Sequence, residues 1–366
     1  MNTCELLIIG GGPAGLCAAL SALNAGSNVV IVERGARLGG QLVKQTHMFF
    51  GSKKQYASTR GIDIASMLIK KVEAFGDQVK ILLNTTVIGM YEDGMLTLLH
   101  KEDEYMKIKP MAVVAATGAY EKTLAFKNND LPGIYGAGAV QTLMNVYGVK
   151  PGNRVLMVGA GNIGLIVTYQ LMQAGVKVVA ILDAAPKIGG YLVHASKVAR
   201  MGVPILTSHT VVEAKGEGCL KSAIVSELDE QFNIIPGTEK EYDIDTMCIS
   251  VGLSPLNELL SMRGCEMRFI RELSGLVPCR TANYETSLKN LFVAGDIAGV
   301  EEASSAMVEG YLAGLCAAAS IGHKRENFDE LRGDFEAQLS ALRNGPVGRH
   351  ILKGIEKTII SEGKNV

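Results

Sequence analysis

Residues 6–15, Leu6-Leu7-Ile8-Ile9-Gly10-Gly11-Gly12-Pro13-Ala14-Gly15, decide the fold. An apolar run leads directly into three glycines, and an alanine-rich stretch follows, which reads as strand, tight turn and helix. In such a turn the first glycine allows the bend, and the second lets the backbone approach a pyrophosphate. The third lets the helix lie close on the strand, and the helix N-terminus attracts the phosphates. Working outward, Val29-Val30-Ile31-Val32 is a second strand ending in Glu33. Glu33 lies roughly 20 residues beyond the turn, where an acid hydrogen-bonds an adenosine ribose.

The same grammar returns downstream. Val155 to Val158 runs into Gly159-Ala160-Gly161-Asn162-Ile163-Gly164, and Val178 to Leu182 ends in Asp183. One such turn is a weak signal, because glycines also serve packing alone in doubly wound domains. Two in the same context argue for two dinucleotide sites, hence for a protein that moves electrons between bound cofactors.

Composition agrees with this reading. Of 366 residues, 48% are hydrophobic and 20% charged, and there is no Trp. Large cores packed by Val, Ile, Leu and Ala suit parallel sheets, and the length suggests two domains. Forty-two glycines fit many tight turns. A net charge of −1 gives no reason to expect nucleic-acid or membrane-surface binding. No run of about 18 apolar residues is present, and Glu5 stands where a signal peptide carries positive charge. The chain therefore reads as cytoplasmic, with no membrane span. Its seven cysteines include no Cys-x-x-Cys pair, so neither a redox disulfide of that kind nor a metal site is expected.

Further along, Asp93-Gly94 is a hairpin signal between two apolar runs and predicts a small antiparallel meander. The apolar strand Met111 to Ala116 runs into Thr117-Gly118, and Met247 to Val251 repeats that pattern before Gly252. Residues 291–296 read Leu-Phe-Val-Ala-Gly-Asp, a buried strand ending in Gly295-Asp296. An alanine-rich helix follows from about Glu302 to Ile321. In the tail, Leu331, Phe335, Leu339 and Leu342 share one helical face. That face needs a cover, either the chain's own first domain or a partner subunit, and the subunit is the favoured one.

In this order, the Gly10–Gly15 turn, Glu33, Thr117-Gly118, the Gly159 turn and Gly295-Asp296 resemble the flavoproteins of the thioredoxin reductase and glutathione reductase class. The resemblance implies an α/β fold of two Rossmann-like dinucleotide-binding domains. The second is inserted in the first, and each has a parallel sheet and a small antiparallel meander. Residues 1–118 and 251–323 would form the FAD-binding domain and 151–250 the NAD(P)-binding-like domain. Residues 119–150 would be a connector and 324–366 a helical tail. FAD contacts are implied at Gly10, Gly12, Pro13, Ala14, Gly15, Glu33, Arg34, Gly40, Gln41, Val87, Thr117, Gly118, Gly295, Asp296, Ala303 and Ser304. A nicotinamide nucleotide would meet Gly159, Gly161, Asn162, Ile163, Gly164 and Asp183. Asp183 favours NAD over NADP, because a carboxylate repels a 2′-phosphate.

A narrower resemblance rests on Gly39-Gly40-Gln41, Ala116 to Lys122, Asp130-Leu131-Pro132-Gly133 and Gly138 to Leu143. These segments are similar to FAD-binding α subunits of amine dehydrogenases, among them opine and hydroxyproline dehydrogenase subunits, hydrogen cyanide synthase and sarcosine oxidase. It implies a partner subunit that oxidises the amine while this chain relays electrons. Ile166 stands where many relatives in the wider class carry a glutamate near the nicotinamide, which argues against fast NADH turnover. The loop Lys44 to Gly51 carries His47, either a proton donor or substrate ligand beside the flavin, or a loop histidine with a local bond. Glu301-Glu302 is expected to favour the following helix N-terminus, and Glu309 to be solvated or capping. Three functions stay open: an electron-relaying subunit of an amine- or amino-acid-oxidising complex, a stand-alone NADH-dependent reductase of a ferredoxin-like or quinone acceptor, and a non-catalytic flavin-binding scaffold or sensor. A homo-oligomer and a small-molecule substrate or electron carrier are the partners these readings allow.

Overall fold

Leu6, Leu7, Ile8 and Ile9 are all buried, as a central parallel strand requires when both of its faces are covered. The computed structural model describes residues 2–49 and 51–361; Phe50, of the Lys44 to Gly51 stretch, lies outside them. Strand Asn2–Ile9 pairs in parallel with Val29–Val32 and with Glu104–Ala115. Val79–Leu82 and Leu291–Val293 extend the parallel part. The far half of Glu104–Ala115 turns antiparallel and carries Leu96–His100 and Thr85–Met90. Alternation sorts the side chains into layers. Leu6 and Ile8 meet helices Pro13–Asn24, Gly61–Glu73 and Ala303–Ser320, whereas Leu7 and Ile9 meet Val87, Met90, Leu96 and Leu98 of the meander.

Contacts divide the chain into two units, one holding residues up to Tyr120 and from Ser254 onward, the other Glu121–Leu253. The second unit repeats the plan. Its parallel sheet runs Ile205–Thr207, Lys177–Asp183, Arg154–Val158, Thr246–Ile249, Ile134–Gly136. Val155 and Met157 face helices Ala137–Tyr147, Asn162–Gln173 and Leu192–Arg200. Leu156 and Val158 face Val211, Ala214, Ala223 and Val225 of a three-stranded antiparallel sheet.

Two expectations need correction. Residues 119–150 are no connector: Ile134–Gly136 is an edge strand of the second sheet, and Ala137 and Val140 are buried in that unit's core. Glu121, in the same unit, accepts a 2.6 Å bond from the Gly138 N–H at the start of that helix. The tail is not an appendage awaiting a partner either. It forms helices Phe328–Leu342 and Pro346–Glu356. Phe328 and Leu339 are buried in the first unit's own core, with Leu331, Phe335 and Leu342 packed against it, and Phe335 stacks on Tyr311 at 5.3 Å. The apolar face that seemed to call for a subunit is covered within the chain.

Helices Pro13–Asn24 and Ala303–Ser320 lie unusually close because Gly310 and Gly314 offer no side chain: a Cβ at either would overlap the backbone of Ala14 or Ala18. Gly314→Val should therefore lower the free energy of urea unfolding by about 2–3 kcal/mol through overpacking. Gly333→Ala, in helix Phe328–Leu342 with open space around it, should raise it by about 1 kcal/mol. Equal behaviour of the two variants would contradict this packing.

Candidate functional site

The three glycines of the first turn do different work. Gly10 has φ +104°, and a Cβ there would overlap the Ala116 carbonyl oxygen. A Cβ at Gly15 would overlap the Gly10 carbonyl. Gly12 is otherwise placed, since a Cβ on it meets only the Gly40 Cα at 3.8 Å and points into open space. The first and third glycines thus bring strand, helix and the neighbouring strand together, and the second leaves room for a phosphate against the helix N-terminus. Glu33 braces the turn, its two carboxylate oxygens accepting from Gly11 N at 2.8 Å and Gly35 N at 2.7 Å. Each oxygen keeps a lone pair that a ribose hydroxyl can use.

The second copy reproduces this bond for bond. Asp183 accepts from Ala160 N at 2.8 Å and Ala185 N at 2.9 Å. Cβ atoms on Gly159 and Gly164 would overlap the Ser250 and Gly159 carbonyls, while one on Gly161 meets nothing within 4 Å. Asn162 Oδ1 accepts from Tyr191 N at 2.8 Å, and Ile163 is partly exposed at the helix start. The copy extends further than the motif. Gly39 N donates to Gly11 O at 2.8 Å, and Gly190 N to Ala160 O at 2.9 Å. Sequence reading missed Gly190, although Leu38-Gly39-Gly40-Gln41-Leu42-Val43 and Ile188-Gly189-Gly190-Tyr191-Leu192-Val193 show the echo plainly.

Gly295 and Asp296 follow strand Leu291–Val293 after the single residue Ala294. Gly295 has φ +75°, a left-handed conformation that suits glycine. Asp296 is half-buried, and desolvation followed by the nearby Glu309, Glu301 and Glu302 pushes its carboxyl up to about 7, against a bond from the Glu301 N–H that favours the charged form. Glu309, expected to be solvated or capping, is instead 4% exposed and central to an ionic network. Its Oε2 accepts from Gly295 N at 3.0 Å, and its Oε1 lies 2.6 Å from Arg343 Nη2 and 3.6 Å from an Arg280 nitrogen. Glu301 sits before the helix Ala303–Ser320 and pairs with Arg343, so its charge serves that pair rather than the helix end alone. Burial opposes the charge of Arg343, but Glu309 and Glu301 outweigh it and hold the guanidinium ionised. Removing one member of such a buried set costs about 3–5 kcal/mol.

The remaining expected residues fall as follows. Thr117 Oγ1 donates to Leu256 O at 2.6 Å, and Leu256 N donates to Gly118 O at 2.9 Å, closing the end of the strand Glu104–Ala115. Ala303 and Ser304 open the long helix, and Pro13 and Ala14 open the first one. Arg34 follows Glu33, and Gly40 packs on Gly12, where a Cβ would come within 2.7 Å of the Gly12 Cα. Gln41 is exposed in the short helical turn Gly40–Lys44. Val87 is buried among the meander residues of the core. His47 is half-buried with its ring stacked on Phe49 at 5.8 Å, which gives it a packing role of its own. Ile166 is half-buried in helix Asn162–Gln173.

Two dinucleotide turns and a Gly-Asp corner on one chain define an oxidoreductase of the flavoprotein class. Residues 4–310 match the pyridine nucleotide-disulphide oxidoreductases, and the chain belongs to that family. Sarcosine oxidase subunit alpha of Corynebacterium sp. (strain P-1) is 28% identical over 88% of this chain and 33% of its own length. Hydrogen cyanide synthase subunit HcnB of Pseudomonas protegens is 24% identical over 98% of this chain and 80% of its own. Thioredoxin reductase of T. acidophilum shares the fold, with a TM-score of 0.72 at 21% identity over 87% of this chain and 99% of that one. The chain spans about a third of the length of the sarcosine oxidase subunit it matches. Among the described residues no helix is long and apolar enough to cross a membrane.

The raised carboxyl of Asp296 has a measurable consequence. The folded FAD-free protein holds this proton up to about pH 7, whereas the unfolded chain releases it near pH 4, so ionising Asp296 costs folding free energy as pH rises through that window. Asp296→Asn should match wild type near pH 4 and exceed it in stability above about pH 7, by as much as about 4 kcal/mol. A stability difference that does not change with pH, in denaturant titrations at both ends, would contradict the assignment.

Proposed function

We propose that this chain is the FAD-carrying, electron-relaying subunit of an amine- or amino-acid-oxidising dehydrogenase complex. The observation that carries the proposal is the complete doubled turn, with a braced acid and open second glycine in each copy, on a chain whose relatives include subunits of sarcosine oxidase and hydrogen cyanide synthase. The family's cofactors are FAD and a nicotinamide nucleotide.

The residues fit FAD in the first unit. Gly10, Gly12, Pro13, Ala14 and Gly15 hold the pyrophosphate, and Glu33 takes the adenosine ribose. Asp296 would accept from a ribityl hydroxyl, a bond that would offset the desolvation cost of its charge. The helix that starts at Ala303 and Ser304 would offer its positive N-terminal end to a bound flavin and favour added electrons there. Arg34, Gly40, Gln41, Val87, Thr117 and Gly118 are the further contacts that the family resemblance implies. Bound there, FAD supplies two-electron chemistry that no side chain provides. In the second unit Gly159, Gly161, Asn162, Ile163, Gly164 and Asp183 hold NAD. Burial pushes Cys17 up to about 12 and Cys4 and Cys279 up to about 11, which makes these three thiols poor nucleophiles for disulfide exchange.

The braced Asp183 also favours a second reading, a stand-alone NADH-dependent reductase. Anaerobic mixing separates the two. Rapid bleaching of the flavin by NADH alone supports the reductase, and bleaching by an amine only with the partner subunit present supports the relay.

Gly12→Val should abolish FAD retention, whereas Gly161→Val should keep FAD and lose NAD binding; the reverse pattern means the two sites are exchanged. Asp296→Ala should weaken FAD binding by about 1.5–3 kcal/mol, about tenfold or more in Kd, without unfolding the chain. An unchanged Kd leaves this aspartate a structural turn residue.

A further inference from the structure

Helix Phe328–Leu342 ends at Arg343, whose side chain turns inward and is 4% exposed. Its Nε lies 3.0 Å from each oxygen of Glu301, and its Nη2 lies 2.7 Å from Glu301 Oε2 and 2.6 Å from Glu309 Oε1. Both glutamates are one bond from the Gly295–Asp296 corner. Glu309 Oε2 accepts from Gly295 N at 3.0 Å, and the Glu301 N–H donates to Asp296 Oδ1 at 3.3 Å. Arg280 lies over the Tyr284 ring at 4.0 Å and approaches Glu309 only at 3.6 Å. The C-terminal segment holds this second cation as well, because Arg280 N donates to Thr358 O and Ile360 N to Arg280 O, each at 3.0 Å. Helix Pro346–Glu356 abuts Arg343 closely enough that a Cβ on Gly348 would overlap its backbone.

We propose that Arg343 is the positioning residue of the Gly295–Asp296 corner, and that the C-terminal segment completes the FAD site by carrying the cation that fixes both glutamates. The inference rests on the FAD reading above. Two carboxylates beside a third acid repel one another, and without a shared cation they rotate apart or draw in water. A planar guanidinium holds one in a bidentate grip and the other through a short bond, a geometry that an ammonium does not reproduce. Without Arg343, the Gly295 N–H loses its oriented acceptor and the corner loosens. The site also gains uncompensated negative charge, which opposes the addition of electrons to a bound flavin.

The test uses the full chain as wild type, Arg343→Met, Arg343→Lys, Glu301→Gln and the Arg343→Met/Glu301→Gln double variant. Three quantities are read: amide exchange across residues 291–300 in FAD-free protein, the Kd for FAD, and the reduction potential of bound flavin. Arg343→Met is expected to speed exchange at 291–300, raise the Kd about tenfold and lower the potential, with exchange across 155–182 unchanged. Arg343→Lys should recover part of the affinity, and the double variant should lose less than the product of its single changes. Wild-type exchange and affinity in Arg343→Met overturn the proposal. So does a loss spread evenly over both units, when Arg343→Lys and Glu301→Gln keep wild-type affinity and potential. If wild type itself binds no FAD, the FAD assignment fails instead, and the exchange at 291–300 still decides whether Arg343 positions the corner.

Discussion

Gly15 lies so close to the Gly10 carbonyl that a methyl group does not fit between them, and much of the first unit follows from that approach. It lets helix Pro13–Asn24 settle on its strand, aims the helix N-terminus at the open space beside Gly12, and brings Ala14 and Ala18 against Gly310 and Gly314. The long helix Ala303–Ser320 can then run past the first one, so that its own N-terminus stands just after the Gly295–Asp296 corner. One close contact thus sets both ends of the region assigned to FAD. The second unit makes the same contact between Gly164 and Gly159 and raises the same braced acid behind it.

Charge is handled differently at the two ends. Glu33 satisfies itself on backbone N–H groups and needs no cation. The Gly295–Asp296 corner instead crowds carboxylates together, Glu309 fully buried among them, and two arginines balance Glu301 and Glu309. Asp296 is left with a carboxyl held near neutrality, a cost to the cofactor-free fold that a hydrogen-bonding ligand relieves. Buried, tightly coupled groups of this kind concentrate at functional sites.

What was legible in the sequence was local. Each glycine turn, the acid after it and the strand before Gly295 announce themselves within a few residues, because backbone geometry dictates those residue types at those spacings. The reading failed where the decisive partner is distant. Residues 119–150 looked like a connector because Ile134–Gly136 is too short to signal a strand until Met247–Ile249 pairs with it. Glu309 looked solvated on an alanine-rich helix because its cations, Arg280 and Arg343, come from other segments. The tail's apolar stripe was visible, but the surface it covers, including Tyr311, is assembled only in the folded first unit. Gly190 differs from these, since its echo of Gly40 lies in the sequence itself.

The central claim is that two similar turns on one chain hold two different dinucleotides. Native mass spectrometry of the purified chain tests it most directly, by counting bound nucleotides with and without added NAD. The account predicts one FAD per chain as isolated or after reconstitution, and one further nucleotide when NAD is supplied. A chain that takes up no FAD, or that fills both turns with FAD, would contradict it.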